Sequence, residues 1–287
     1  GNVTRMDPTL RSARWTFCSG DLSGFLSPAI LAGGYAIVSS LDGPLRALDV
    51  ETGSVAWSLP DMPCVSAPVL CGRRVACATV DGRLHAIDAD SRKVVSTALP
   101  APCSDDLVSW SGAIFCVDAH GTATSWTADL ELRWTRSLDD VAAATIDVAD
   151  GRVVVGDDQG VIYGLDAATG DVLWTHRART APLGRALVRD GTLFMTTAEQ
   201  IVRLRVQDGV VLAPFPCPRG QFTGGVYAQS SRLIVPTDRA QLQVIDRASG
   251  RALYHHDGLC GDRLECVGGT LHVVHRGRVI RRYPDLP

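Results

Sequence analysis

Short apolar runs of three to five residues recur along the chain, separated by polar turns that usually contain glycine. The first unit shows the pattern: Ala29–Leu31, a Gly33-Gly34 turn, Tyr35–Ser39, Asp42-Gly43, Leu45–Leu48, Thr52-Gly53, then Val55–Leu59. Runs this short predict strands, and Gly or Asp between them tolerates the positive φ that tight hairpins need. No stretch of good helix formers runs long enough for an ordinary helix. Each unit therefore reads as four antiparallel strands.

The unit repeats. Leu41–Asp49 recurs as Val80–Asp88, as Asp158–Asp166 and, in weaker form, as Asp238–Asp246. After Asp49 and Asp166 comes a Thr-Gly turn and then Trp57 or Trp174, eight residues past the Asp. The aligned column runs Asp49, Asp88, Thr127, Asp166, Arg205, Asp246 and Tyr283, in steps of 39, 39, 39, 39, 41 and 37. A period in this range means a repeat architecture, and four strands per repeat arranged radially make a propeller. The expected fold is all-β, a seven-bladed β-propeller of four-stranded antiparallel blades forming one domain over residues 1–287. The blades are expected at about 27–60, 66–100, 104–139, 142–178, 183–218, 223–258 and 260–283. The last has three strands, and Arg11–Phe17 carries a Trp like a fourth strand. Residues 11–18 are therefore expected to complete the last blade and close the ring.

The pattern G-x-h-x-A-h-D-x-x-T-G-x-x-h-W (h, apolar), clearest at Gly43–Trp57 and Gly160–Trp174, resembles the pyrroloquinoline-quinone (PQQ) repeat. That family includes quinoprotein dehydrogenases, outer-membrane assembly propellers and accessory propellers of adenylating enzymes and kinases. The resemblance implies architecture rather than chemistry, because one fold hosts many functions. Quinoprotein dehydrogenases resemble eight-bladed rings with a vicinal Cys-Cys disulfide and a Ca²⁺ held by acidic and amide ligands. This chain has no adjacent cysteines, and its one asparagine is Asn2. Quinone-dependent oxidation is not expected, and no cofactor is assigned. The assembly lipoproteins carry a lipid-bearing Cys at the mature start, which has no counterpart here.

Charge narrows the partners. Net charge is −3, and no window concentrates Lys and Arg, so no nucleic-acid partner is expected. No apolar segment approaches the roughly 20 residues of a membrane span. Nine cysteines, an odd number without C-x-x-C, favour reduced thiols and a cytoplasmic setting, although a removed leader or membership of a larger protein is compatible with the start at Gly1.

In a propeller the inner strands line a central channel. The columns there are mostly small or apolar, with exceptions at Asp105, Asp106, Asp147, Arg185, Tyr227, Asp262, Arg263 and Glu265. Two readings stay open. In one, the channel mouth is a platform that binds a protein or small molecule, with Asp105, Asp106, Asp262 and Trp110 in contact. In the other, Asp147, Arg185, Tyr227, Arg263 and Glu265 act as acid, base and anion clamp of a cofactor-independent cyclase, lyase or isomerase. Paired across a pore, the same charges would be structural. Cys64, Cys103 and Cys260 hold equivalent places two residues before inner strands, where thiols suit metal or nucleophilic chemistry, but no metal site is assigned. Cys77 and Cys116 read as core fillers, and Trp15, Trp57, Trp134 and Trp174 as structural. Trp110 and Trp126 break that pattern.

Overall fold

The computed structural model describes residues 2–6, 13–19, 29–39, 43–104, 107–138, 145–157, 159–180, 182–183, 186–218, 220–238, 241–256, 263–267, 270–275 and 278–283, the last three segments and residues 2, 6, 241 and 256 as backbone only. Strands from these residues form six four-stranded sheets, one three-stranded sheet and one two-stranded sheet. The sheets are antiparallel meanders in which each strand bonds the next. This is the fold of a seven-bladed β-propeller. Blade 1 comprises Ile30–Ala32, Tyr35–Val38, Leu45–Asp49 and Val55–Leu59, within a residue of the sequence expectation.

Position within a blade explains each strand's composition. Second strands are covered on both faces and read as unbroken apolar runs, such as Val153-Val154-Val155, all fully buried. Outer strands alternate, with Trp57, Trp134 or Trp174 turned inward and neighbours exposed. One extra residue bulges the outer strand beside each of these tryptophans, for example between Gly164 and Leu165 of the partner strand. Bulges re-aim a side chain, and here they aim the indole at the next blade.

Contacts divide the chain into two compact units. The first comprises residues 1–146 and 167–170: the N-terminal strands, blades 1 to 3, and the start and one turn of blade 4. Its cores lie between neighbouring blades. One joins Ile37, Leu45 and Trp57 to Val75, Cys77 and Ile87, and the next joins Ala76, Leu84 and Ala86 to Ile114, Cys116 and Trp126. Ala13–Cys18 is a strand, as expected; among the described residues it pairs with Asn2–Met6, a partner the sequence did not announce. The second unit comprises the rest of blade 4 and blades 5 to 7. Its cores join Val154 and Trp174 to Leu193 and Leu204, and Phe194 and Phe215 to Leu233 and Ile245.

Candidate functional site: the inner-strand face of blades 1 to 3

The seams between blades are built by one repeated device. The outer-strand tryptophan of one blade donates its indole N–H to a backbone carbonyl in the next blade's third turn. Trp134 Nε1 reaches the Ala167 carbonyl at 3.1 Å, and Trp174 Nε1 reaches Val206 at 2.9 Å. Trp15 does the same to Val50 of blade 1 at 2.8 Å. The turn's glycine makes room for the ring: a Cβ on Gly170 would stand 2.6 Å from Trp134, and on Gly53 2.5 Å from Trp15. Each of these glycines also holds a positive φ, which suits a residue without Cβ. Between blades 5 and 6 the ring is Phe215, against Gly250. It has no N–H to donate, and the Arg203 guanidinium stacks 4.1 Å from its centroid.

Two further seams depart from the rule, and both flank blade 2. Its outer strand has no bulge, and Val95 stands opposite Ala86 where other blades place tryptophan. Trp126, from the third strand of blade 3, fills that seam instead and bonds Thr124 at 2.9 Å. At the seam with blade 1, the place of the turn glycine is taken by Arg92, which holds φ 62. Opposite it, Trp57 is buried with its Nε1 unpaired. Arg92 thus carries a Cβ at the place that glycine leaves open for the ring at the other seams.

Along this same seam a pocket of about 350 Å³ is lined by Leu31, Ala32, Gly33, Leu70, Gly72, Arg73, Ala89 and Asp90. Leu31 and Leu70, from the inner strands of blades 1 and 2, are 67% and 41% exposed, high for leucine. The exposed Arg73–Asp90 pair, 3.2 Å apart, marks the rim. Gly33 holds φ 56 there, and a Cβ on it would have to displace the Asp90 carboxylate, whose Oδ1 would lie 2.8 Å away. The next inner strand, Val108–Trp110, ends in Trp110 at 39% exposure, and Ser109 Oγ ties it to the Leu70 carbonyl at 2.8 Å. Leu31 and Leu70 thus stand exposed at equivalent places on two successive inner strands, the place that Ser109 takes on the third, where exposed Trp110 follows one residue later.

Residues 1–101 and 96–219 match the family described as outer membrane protein assembly factor BamB. The chain belongs to this BamB family. No curated protein sequence matches it. The crystal structure of BamB from Moraxella catarrhalis is similar in fold, with TM-score 0.68 and 17% identity over 90% of this chain and 87% of that one. The computationally designed Ika8 protein is similar as well, with TM-score 0.70 and 16% identity over 91% and 87%.

On this BamB-family scaffold the residues singled out in the sequence fall in different places. Trp110 is exposed at the end of the inner strand of blade 3. Asp147, on the inner strand of blade 4, accepts the N–H of Val148 at 2.9 Å and of Val188 at 3.0 Å. Val188 belongs to the inner strand of blade 5, so this carboxylate fastens one inner strand to the next. Tyr227 opens the inner strand of blade 6 and is half-buried. Arg263 and Glu265 lie on the inner strand of blade 7, described as backbone only. Arg185, Asp105, Asp106 and Asp262 lie outside the described residues. Among the described residues no three His, Cys, Asp or Glu side chains form a group fit for a metal.

Sequence reasoning missed a polar chain in blade 2. Ser96 Oγ meets His85 Nδ1 at 2.7 Å, His85 Nε2 meets Thr79 Oγ1 at 2.9 Å, and Thr79 donates to Asp81 at 2.5 Å. The hydrogen bond from Thr79 holds the Asp81 carboxyl below its ordinary range, and burial holds His85 below its ordinary 6.5. Strand register alone, with His85 opposite Ser96, could have suggested the first link.

Proposed function

We propose that this chain is a binding platform that engages a protein partner through the apolar inner-strand face of blades 1 to 3, without bound quinone. The observation that carries the reading is the pocket flanked by exposed Leu31 and Leu70, with exposed Trp110 ending the next inner strand. Clustered exposed apolar side chains with a polar rim are the usual mark of an interaction surface, and an aromatic beside them is a common anchor. The family's description as an assembly factor points the same way. Asp147, assigned to the catalytic alternative, is occupied by two backbone amides, which favours a positioning role for it. No helix of the described residues is long and apolar enough to cross a membrane. A cytoplasmic setting is proposed on the odd number of cysteines without C-x-x-C.

The test is photo-crosslinking in cells that express the protein, with a photoreactive side chain at position 31 or 70 and a control at Val172 on an outer strand. One discrete adduct is expected at the first two positions and none at the control. Leu70→Asp should lower the yield at position 31 about tenfold, the loss of one anchoring contact. Equal adducts at all three positions, or none at 31 and 70, would overturn the reading.

A further inference from the structure

Two thiol pairs occupy equivalent places in blades 2 and 3. Cys64 lies on the connector before an inner strand and Cys77 on the second strand; Cys103 and Cys116 repeat the arrangement exactly one 39-residue period later. Isolated bridges set the register, Cys64 opposite Thr79 and Cys103 opposite Asp118. Each connector cysteine is thereby the diagonal neighbour of its second-strand cysteine on one face, close enough for the two thiols of each pair to affect each other's proton affinity. The connector thiols that the sequence set apart and the second-strand thiols it gave to the core are partners.

The two pairs differ in access and in chemistry. Cys64 and Cys77 are both fully buried. Neighbouring Cys64, and burial with it, push the Cys77 thiol up, so it stays protonated. Cys103 is half-buried, while Cys116 is 2% exposed. Neighbouring Cys103 draws the Cys116 thiol down against its burial, and Thr124 adds a contact at 3.0 Å. Thr124 is held in turn by the Trp126 indole, which belongs to blade 3 alone. In blade 2 the corresponding residue is His85, engaged by Thr79 and Ser96.

We infer that Cys103 and Cys116 are a redox-active thiol pair that closes to a disulfide by exchange with a low-molecular-weight disulfide, whereas Cys64 and Cys77 stay reduced. The accessible Cys103, as thiolate, attacks one sulfur of the small disulfide, breaks its S–S bond and expels one thiolate, which takes up the proton Cys103 gave to solvent. Cys116, as thiolate, then attacks the Cys103 sulfur of the mixed disulfide and expels the second thiolate, which is protonated likewise. Two protein thiols lose two electrons, and one small disulfide becomes two thiols. Exchange needs a reachable sulfur and a second thiol close by to resolve the mixed disulfide, and of these two pairs only the one in blade 3 has a reachable sulfur. The bridge would tie the connector that enters Val108–Trp110 to the blade's second strand. This inference is independent of the platform reading.

The test incubates the intact protein in glutathione buffers, quenches with acid, alkylates after unfolding and maps the peptides. A joined Cys103–Cys116 peptide, reversed by dithiothreitol, is expected at about tenfold or more the abundance of any Cys64–Cys77 peptide, as access dictates. Cys116→Ser should accumulate glutathione on Cys103, and Cys103→Ser should leave Cys116 unmodified; Cys116→Ala repeats the first measurement should the serine disturb the core, with circular dichroism reporting the fold. No joined peptide, equal joining in both blades, or the same Cys103–glutathione level in wild type and the Cys116 variants would each overturn the inference.

Discussion

A buried histidine in a sheet needs partners on both ring nitrogens, and His85 finds them in Ser96 and Thr79. Burial dominates its proton affinity, opposed by the nearby Asp81 and reinforced by Arg83. The folded protein therefore holds the His85 proton less tightly than the unfolded chain does. As pH falls below 6.5, the unfolded chain takes up a proton the folded state resists, so stability contributed by neutral His85 is lost on acidification. Urea midpoints should fall from pH 7.5 to pH 5.5, and more steeply for wild type than for His85→Gln. Parallel slopes would show that other groups set the profile. At Asp147, replacement by Ala leaves the Val188 N–H on an inner-strand edge without its acceptor. That change should cost roughly 1–3 kcal/mol in chemical denaturation, with partner binding intact.

At the scale of strands and turns, the seams follow a rule whose exceptions are informative, above all the one between blades 1 and 2. Gly170→Ala forces a Cβ into the Trp134 ring at a positive φ and should destabilise by roughly 2–4 kcal/mol. Arg92→Gly is the converse: it removes a left-handed non-glycine residue and lets the Trp57 indole approach the turn, so stability should rise by about 1 kcal/mol. A thermal melt separates the two signs. The strands, turns and repeat were legible because each Asp49-like turn repeats its side chains. Asp49 Oδ1 accepts the Thr52 N–H, and Asp88 and Asp246 accept those of Ser91 and Ser249, each at 2.8 Å. The missing bulge of blade 2 was not legible, because Val95 and Ser96 look like any alternating strand. Only its partner register shows that Val95, and not Ser96, faces the seam.

For the whole molecule, the repeat fixed blade number and order, while the location of function stayed open between two sets of residues. Trp110 stood out in the sequence because it breaks the outer-strand tryptophan column, and the structure leaves it partly exposed. Leu31 and Leu70 were not, since a leucine in an inner strand reads as packing until its exposure is seen. Asp147 stood out as a carboxylate among small and apolar inner-strand residues, while its two amide partners could not be read from the sequence. If the inner-strand face is the platform, Leu31→Asp should leave the melting temperature within the range of an ordinary surface change, about 0.5 kcal/mol, and abolish partner binding. Leu132→Asp, on the outer strand of blade 3, should change neither.

The unpaired Trp57 also sets how the chain would yield under load. Tension applied between blades 1 and 2 meets no indole stitch, whereas tension between blade 3 and the turn at Ala167 must first break one. In a pulling experiment with handles placed across each junction, the first should part at the lower force. Arg92→Gly should bring its rupture force up toward that of the second.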